Sequence, residues 1–218
     1  MVNIAIDSEE AILELEQENP LEQMVRSGAV SFWSGMPREH FHRFLLRNPD
    51  FKIERDKHGY ITIHPPMTYD SSFYEGIAFT LLSNWSLKNR KLGLAFSPSA
   101  AFDLPDGSTH KADGAWISIE KHKRMTEEER KKIAAIVPDF VMEVRSQTDR
   151  ISKLKKKMED TWIANGVRLA WLIDPIKEKA WVYRQDGTKE EIENFSGKLS
   201  GEDVLPGFEF SLREMKAD

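Results

Sequence analysis

Two apolar segments on either side of a helix-length stretch constrain the fold of this chain more than any other feature. DFVMEVR (139–145) and VRLAWLID (167–174) are nearly continuous apolar runs, and Gly166 ends the charged, helix-periodic segment between them. Strands of this composition are usually parallel, buried on both faces of a sheet and joined by a helix. The sequence therefore predicts a β-α-β unit and, with it, an α/β domain.

The remaining segments predict further strands and helices around this unit. Residues 51–63 alternate about the turn-like DKHG, which predicts a hairpin, and residues 72–85 carry apolar residues every four positions, which is typical of a helix. LGLAFSP, the turn PDGS and DGAWISI are typical of a meander of short strands, and Thr126 predicts the start of a helix that ends at Pro138. KAWVYR and FEFSL predict two more strands. We therefore expect a mixed central β-sheet flanked by helices.

Composition limits the class of protein. The 218 residues include no cysteine, which excludes a disulfide framework, a thiolate zinc site and a cysteine nucleophile. The sequence contains no apolar run near the roughly 18 to 20 residues of a membrane span, and its acidic start does not resemble a signal peptide. We expect a cytoplasmic protein without membrane contact, with an N-terminal helical extension over residues 1–35 and one domain over residues 36–218.

Basic residues are concentrated in one part of an acidic chain. Residues 121–157 contain 12 Lys and Arg against 6 Asp and Glu, whereas the whole chain has a formal charge of −5. Such a segment is suited to contact with a polyanion. Solvated helix faces would give the same charge pattern, so the sequence leaves both interpretations open.

Two carboxylates suggest a metal site. Glu143 interrupts an apolar strand, and a buried unpaired charge costs several kcal/mol, so this residue must be paired, exposed at a strand end or bound to a cation. Asp113 opens another predicted strand. If the two strand ends meet, the carboxylates form an oxygen site suited to Mg²⁺ or Mn²⁺. A turn residue and a satisfied edge carboxylate are the alternatives.

The helix of the β-α-β unit presents one lysine toward the same region. On a helical wheel, Leu154, Met158 and Trp162 share the arc that packs on the sheet, and Lys157 lies on one flank of it, about 20° from Arg150. Long side chains on that flank can reach along the sheet edge toward a bound phosphate. A solvated lysine is the alternative.

The order of these segments resembles a known family. GLAFSPSAAFDLPDGSTHKADGAWIS, VPDFVMEVRSQTDRISKLKKKMEDTWIANGVRLAWLIDP and WVYR together resemble the Uma-type restriction endonucleases, a domain family of the PD-(D/E)XK nuclease superfamily. The resemblance runs from about Phe41 to the C terminus. It implies a restriction-endonuclease-like core, Mg²⁺ or Mn²⁺ as the cofactor, DNA as the substrate and a homodimer.

The resemblance also implies roles for individual residues. Asp113 takes the position of the metal-binding aspartate, Glu143 the acidic position of the (D/E)XK element, and the Val144 carbonyl joins them as a metal ligand. Glu75 matches the helix-borne glutamate that many superfamily members place near the metal, although its spacing from Ser72 also fits a capping box.

Arg145 departs from the superfamily pattern because it occupies the lysine position. Arginine stays protonated, so it can hold a phosphate but is a poor proton acceptor. The resemblance makes Lys157 the candidate replacement and adds three nucleic-acid contacts, which are Arg145, Arg150 and Lys153. For Lys153, a solvated lysine is the alternative.

Three functions remain open on this basis. The first is a Mg²⁺-dependent DNA endonuclease that hydrolyses phosphodiester bonds. The second is a nucleic-acid-binding or protein-interaction module that retains the nuclease fold without turnover, for which Arg145 is the supporting feature. The third is a structural domain with no affinity for nucleic acid.

Overall fold

The computed structural model describes residues 29–216, which form two large β-sheets, a two-stranded ribbon and five short to medium α-helices. The strands are β1 Val30–Trp33, β2 Ile53–Arg55, β3 Tyr60–Ile63, β4 Gly93–Phe96, β5 Ala101–Asp103, β6 Thr109–Lys111, β7 Gly114–Ser118, β8 Phe140–Val144, β9 Leu169–Asp174, β10 Lys179–Arg184, β11 Lys189–Ile192, β12 Lys198–Ser200 and β13 Glu209–Ser211. The helices are α1 Arg38–Arg47, α2 Tyr69–Lys88, α3 Ile119–Arg124, α4 Glu127–Arg130 and α5 Ile151–Lys157.

The central sheet has the strand order β11-β10-β9-β8-β7-β4. Strands β8 and β9 are parallel, and every other neighbouring pair in this sheet is antiparallel. Because helix α5 connects β8 to β9, the predicted β-α-β unit and the mixed sheet are confirmed. Phe140 and Met142 on one face of β8 pack in the cluster that contains Leu82 of α2. Val141 on the other face packs with Trp162.

The helix between β8 and β9 changes its pitch after Lys157. It continues from α5 as a π-helical segment over Met158–Ile163, in which the Ala164 N–H donates to the carbonyl of Glu159, five residues earlier. Gly166 adopts φ +99° and ends the helix, as the sequence predicts. The wider π turn therefore sets which side chains of this helix point toward the sheet.

The second sheet is antiparallel and has the order β1-β3-β2-β6-β5. The predicted hairpin forms β2 and β3, with Ile53 opposite Ile63. Its apolar face packs against Phe41 and Leu45 of α1. Glu54 of β2 and the preceding Lys52 lie on the opposite face, and Lys52 reaches Asp113 at the start of β7.

Three sequence predictions about local structure are wrong. The β4-to-β7 segment is not a simple meander, because β4 pairs directly with β7 while the intervening β5–β6 hairpin joins the second sheet. The capping box at Thr126 forms, but α4 ends at Arg130 because the chain then crosses to pair Ala134 with Phe102. Helix α2 begins at Tyr69 rather than near residue 72.

Part of the predicted N-terminal helical extension is a strand. Residues 30–33 form β1 and pair with β3, whereas residues 1–28 lie outside the described part of the chain. Within residues 29–216, no helix is both long and apolar enough to cross a membrane.

Candidate active site

A cleft with several charged side chains in its lining lies between the second sheet, the start of α2 and the ends of β7, β8 and α5. Its walls include the segment 64–68 after β3 and the segment 146–149 after β8. The chemically relevant side chains of the cleft are Lys52, Asp113, Glu143 and Lys157. Asp113, Glu143 and Lys157, which the sequence analysis singled out separately, therefore share one cleft.

Asp113 is buried at the start of β7 and is held by two donors. One carboxylate oxygen accepts the Val144 N–H at 2.7 Å, which fixes Asp113 against the end of β8. The other oxygen lies 2.7 Å from the Lys52 ammonium. Burial alone would raise the pKa of Asp113, but the Lys52 charge and these hydrogen bonds outweigh it and keep that pKa below the ordinary value. Asp113 is therefore an anion in the folded protein.

Glu143 is 2% exposed and lies on the face of β8 that meets the crossover helix. Its Oε1 atom accepts a hydrogen bond from the Trp162 indole N–H at 2.8 Å and lies 2.8 Å from the Lys157 ammonium. Burial raises the pKa of Glu143 above its ordinary value even though Lys157 opposes that rise. A cation in the cleft would stabilise the charged form of this carboxylate.

Lys157 is held by three acceptors from three strands. Its ammonium lies 2.8 Å from Glu143, 2.8 Å from Oε1 of Glu54 and 3.0 Å from the Lys111 carbonyl. Burial acts to lower the pKa of Lys157, but the two carboxylates raise it above the ordinary value. Lys156 is 77% exposed and lies 3.9 Å from Asp160. The placement of both lysines agrees with the helical wheel.

Sequence reasoning missed Glu54 and Lys52, which flank Ile53 on the hairpin. Glu54 is 5% exposed, and its Oε2 atom faces Nε2 of His64 at 3.2 Å and Nδ1 of His110 at 3.5 Å. The alternation of charged and apolar residues in KIER was the available signal, because it places both charges opposite the Ile53 face. The sequence does not reveal that Lys157 of α5 and the β6 residues His110 and Lys111 cover the Glu54 side chain.

Glu75 lies on the second turn of α2, beside Asp113. Thr68 is the N-cap of this helix and accepts a hydrogen bond from the Ser71 N–H, so the predicted capping box of Ser72 and Glu75 is wrong. Burial and the neighbouring Asp113 raise the pKa of Glu75 to about 7. The sequence-predicted candidate is therefore adjacent to the site and can change its charge near neutral pH.

The three predicted nucleic-acid contacts have different environments. Arg150 and Lys153 are exposed near the start of α5. The Arg145 guanidinium instead lies 2.8 Å from the buried carboxylate of Asp174, at the end of β9, and donates to the Asp149 carbonyl. Arg145 therefore has a structural partner, and its predicted contact with nucleic acid stays a prediction.

Comparisons with known proteins place this chain in a family. The sequence profile of the Uma2 family, described as "Putative restriction endonuclease", matches residues 38–213. The chain belongs to the Uma2 family. A search of the curated proteins gave no match.

Among solved structures, the chain is similar to one titled "Crystal structure of a putative nuclease belonging to DUF820" from Anabaena variabilis. The TM-score is 0.63 and the identity 18%, over 75% of this chain and 88% of that chain. A likeness at this identity concerns the fold, and it confirms the restriction-endonuclease-like core that the sequence predicts.

Restriction-endonuclease-like families such as Uma2 generally depend on a divalent metal ion, and the donor atoms of this cleft fit one. Within residues 29–216, no three His, Asp or Glu side chains are arranged as a complete metal site. Two carboxylates and a backbone carbonyl still suit Mg²⁺, which keeps several of its waters in proteins. The Lys52 ammonium against Asp113 shows that a positive charge is accommodated at this carboxylate.

The balance of buried charge supports the same fit. Three buried carboxylates, from Glu54, Asp113 and Glu143, face two ammonium groups, from Lys52 and Lys157. Lys157 is shared between Glu54 and Glu143, so a further cation beside Glu143 would stabilise the charged form of that carboxylate.

Proposed function

We propose that this Uma2 protein is a divalent-metal-dependent endonuclease that hydrolyses phosphodiester bonds in DNA. The observation that carries the proposal is the meeting of Asp113, Glu143 and Lys157 in one cleft of a restriction-endonuclease-like fold. Membership in a family described as "Putative restriction endonuclease" supports the same reaction class.

In this proposal, Asp113, Glu143 and the Val144 carbonyl hold Mg²⁺ or Mn²⁺. The metal ion, when bound, polarises a phosphate oxygen and lowers the pKa of a coordinated water. The hydrogen bond from the Val144 N–H to Asp113 fixes the two strand ends relative to each other, so the ligands are preorganised.

Lys157 acts mainly as a positive charge. Its raised pKa keeps the ammonium protonated, so it can orient an attacking water or stabilise the charge that develops on the phosphate, but it cannot accept a proton at neutral pH. Glu75 completes the catalytic set. With a pKa of about 7, its carboxyl group can take up or release a proton beside Asp113 near neutral pH.

Arg150 and Lys153 are proposed to contact the phosphate backbone, since both are exposed near the start of α5. Arg145 is the third proposed contact with the phosphate backbone, although its guanidinium also forms an ion pair with Asp174. Cleavage of both strands would be served by a homodimer, and the cytoplasm remains the proposed location.

The test is cleavage of supercoiled plasmid DNA by the purified protein, with Mg²⁺ and Mn²⁺ titrated against EDTA. We expect nicked and linear products that require the metal, and their loss in Asp113→Asn and Glu143→Gln. Lys156→Met, at a solvent-exposed position of the same helix, is the control and should retain cleavage. Cleavage that survives both carboxylate substitutions or EDTA would overturn the proposal.

The alternative is a nucleic-acid-binding module without turnover, which Arg145 at the lysine position favours. The same protein then binds DNA in a salt-dependent manner but gives no product at any metal concentration. A gel-shift titration run beside the cleavage assay separates these two functions.

A further inference from the structure

We propose that Glu54 is a positioning residue that holds the Lys157 ammonium in place for the reaction. This inference rests on the proposed function, because it assigns the support of a residue in that same site. Glu54 lies on β2 of the second sheet, outside the β-α-β unit that carries Glu143 and Lys157.

The contacts of Glu54 converge on Lys157 and its surroundings. One carboxylate oxygen, Oε1, lies 2.8 Å from the Lys157 ammonium and also accepts the Lys111 N–H at 2.9 Å. The other oxygen, Oε2, faces His64 and His110. A carboxylate with partners on both oxygens is held in one orientation, so it offers Lys157 a fixed acceptor.

The Lys157 ammonium is fixed in turn, since its three protons face three acceptors. Glu54 and the Lys111 carbonyl supply two of these acceptors from the second sheet, and Glu143 supplies the third from the central sheet. Without Glu54, the long lysine side chain would retain one carboxylate partner and regain rotamer freedom.

Charge explains why a second carboxylate is needed. Glu143 is a proposed metal ligand, and a divalent cation bound there repels the ammonium that also contacts Glu143. Glu54 is not a proposed ligand, so its negative charge remains available to Lys157 when the metal is bound. Glu54 therefore allows the lysine and the metal ion to occupy the cleft together.

The experiment compares Glu54→Gln with the wild-type protein. Glutamine keeps the size of the side chain and an oxygen that can accept the Lys111 N–H, but it removes the charge that faces Lys157. We expect kcat for cleavage of a duplex oligonucleotide to fall about 10- to 100-fold with KM nearly unchanged, which is typical when support of a catalytic group is lost.

A matched control, Asp139, lies at the other end of β8 from Glu143. Asp139 is also buried, lies 2.9 Å from the Lys121 ammonium and accepts the Ser118 N–H at 2.8 Å, but it does not line the cleft. Asp139→Asn therefore removes a similar buried charge. It should retain kcat at temperatures where the variant is folded.

A double-mutant comparison separates positioning from general destabilisation. If Glu54 acts through Lys157, then Glu54→Gln has no further effect on kcat when Lys157→Met is already present. Independent, multiplicative losses in the double variant would overturn the inference. If Glu54→Gln does not fold, Glu54→Asp withdraws the carboxylate by one methylene and serves in the same comparison.

A readout without catalysis keeps this test separate from the proposed function. In ¹⁵N spectra of lysine-labelled protein, we expect the Lys157 ammonium protons to exchange slowly with water in the wild type and rapidly in Glu54→Gln. Slow exchange in both would overturn the positioning role even in an active nuclease. If neither protein cleaves DNA but the exchange differs as expected, the proposed function fails while the contact stands.

Discussion

The Lys52 ammonium lies 2.7 Å from Oδ1 of Asp113. Burial acts to lower the pKa of Lys52, but Asp113, Glu143 and Glu54 together raise it above the ordinary value, so the lysine is a cation. A positively charged side chain thus contacts one of the proposed metal ligands from the second sheet. Binding of a divalent ion at Asp113 must work against this charge.

Removing Lys52 should therefore strengthen metal binding. We expect Lys52→Met to bind Mn²⁺ about tenfold more tightly than the wild type, measured by titration calorimetry without nucleic acid, because a competing cation is removed. Lys121→Met, which breaks the ion pair with Asp139 elsewhere, is the control and should leave Mn²⁺ affinity unchanged. Unchanged or weaker Mn²⁺ binding by Lys52→Met would contradict this expectation.

Lys157 and Lys156 are adjacent in sequence and should differ sharply in function. Lys157→Met should reduce kcat about a hundredfold with a modest loss of DNA binding, because it removes a charge preorganised in the cleft. Lys156→Met should lose only some salt-dependent affinity, since that ammonium is exposed. Steady-state cleavage and filter binding at two salt concentrations check both. Equal, mild effects would make Lys157 an ordinary surface lysine.

Because of Glu75, the free energy of unfolding should fall as the pH rises from about 4.5 to 7. Its pKa in the folded protein is raised from 4.5 to about 7, so the folded state binds the proton more tightly than the unfolded state between these values. Glu75→Gln should therefore match the wild type near pH 4 and exceed it above pH 7, by about 1 to 2 kcal/mol after allowance for solvent screening.

Urea unfolding at several pH values measures this difference. Glu214→Gln, at an exposed position, is the control. A difference between wild type and Glu75→Gln that does not grow between pH 4.5 and 7 would exclude the raised pKa.

Substitution of Arg145 should mainly reduce stability, whereas substitution of Arg150 should mainly reduce DNA binding. Arg145→Met leaves the Asp174 carboxylate, which is 1% exposed, without its charged partner, so it should lower the free energy of unfolding by about 3 kcal/mol. Arg150→Met should change stability by less than about 0.5 kcal/mol and weaken DNA binding at low salt. If Arg145→Met is fully stable and loses only DNA binding, Arg145 contacts nucleic acid as the family resemblance implies.

The sequence predicted the part of the fold in which burial and periodicity agree. The β-α-β unit was predictable because its three parts agree. Strands β8 and β9 are apolar along their whole length, and the segment between them has helical periodicity, which is the pattern of a right-handed crossover that buries both strand faces. Glu143 stood out for the same reason, as a charge within a strand that the pattern requires to be buried. The wheel of the helix then placed Lys157 on the correct flank.

The hairpin could not be assigned to the site from sequence. Ile53 alternates with charged neighbours, which is also the pattern of a strand with one face in solvent. Glu54 is buried because Lys157 of α5 and the β6 residues His110 and Lys111 contact it, and these residues are distant from it in the chain. The prediction that the helix starting at Thr126 ends at Pro138 was wrong for a related reason. Long-range pairing of Ala134 with Phe102 outweighs the local preference for helix.

The π-helical segment that follows Lys157 makes the number of residues in this helix a property of the site. Lys157 and Trp162 are five positions apart, which is about 140° around an α-helix, yet both contact Oε1 of Glu143. In an α-helix with the same number of residues, the indole would turn away from the carboxylate. If one residue between 158 and 161 were deleted, the tryptophan would lie four positions after Lys157, about 40° away around an α-helix, and would still face Glu143. The extra residue of the π segment is therefore compatible with the site only because the helix widens, and a homologue one residue shorter here could hold the same carboxylate with an ordinary α-helix.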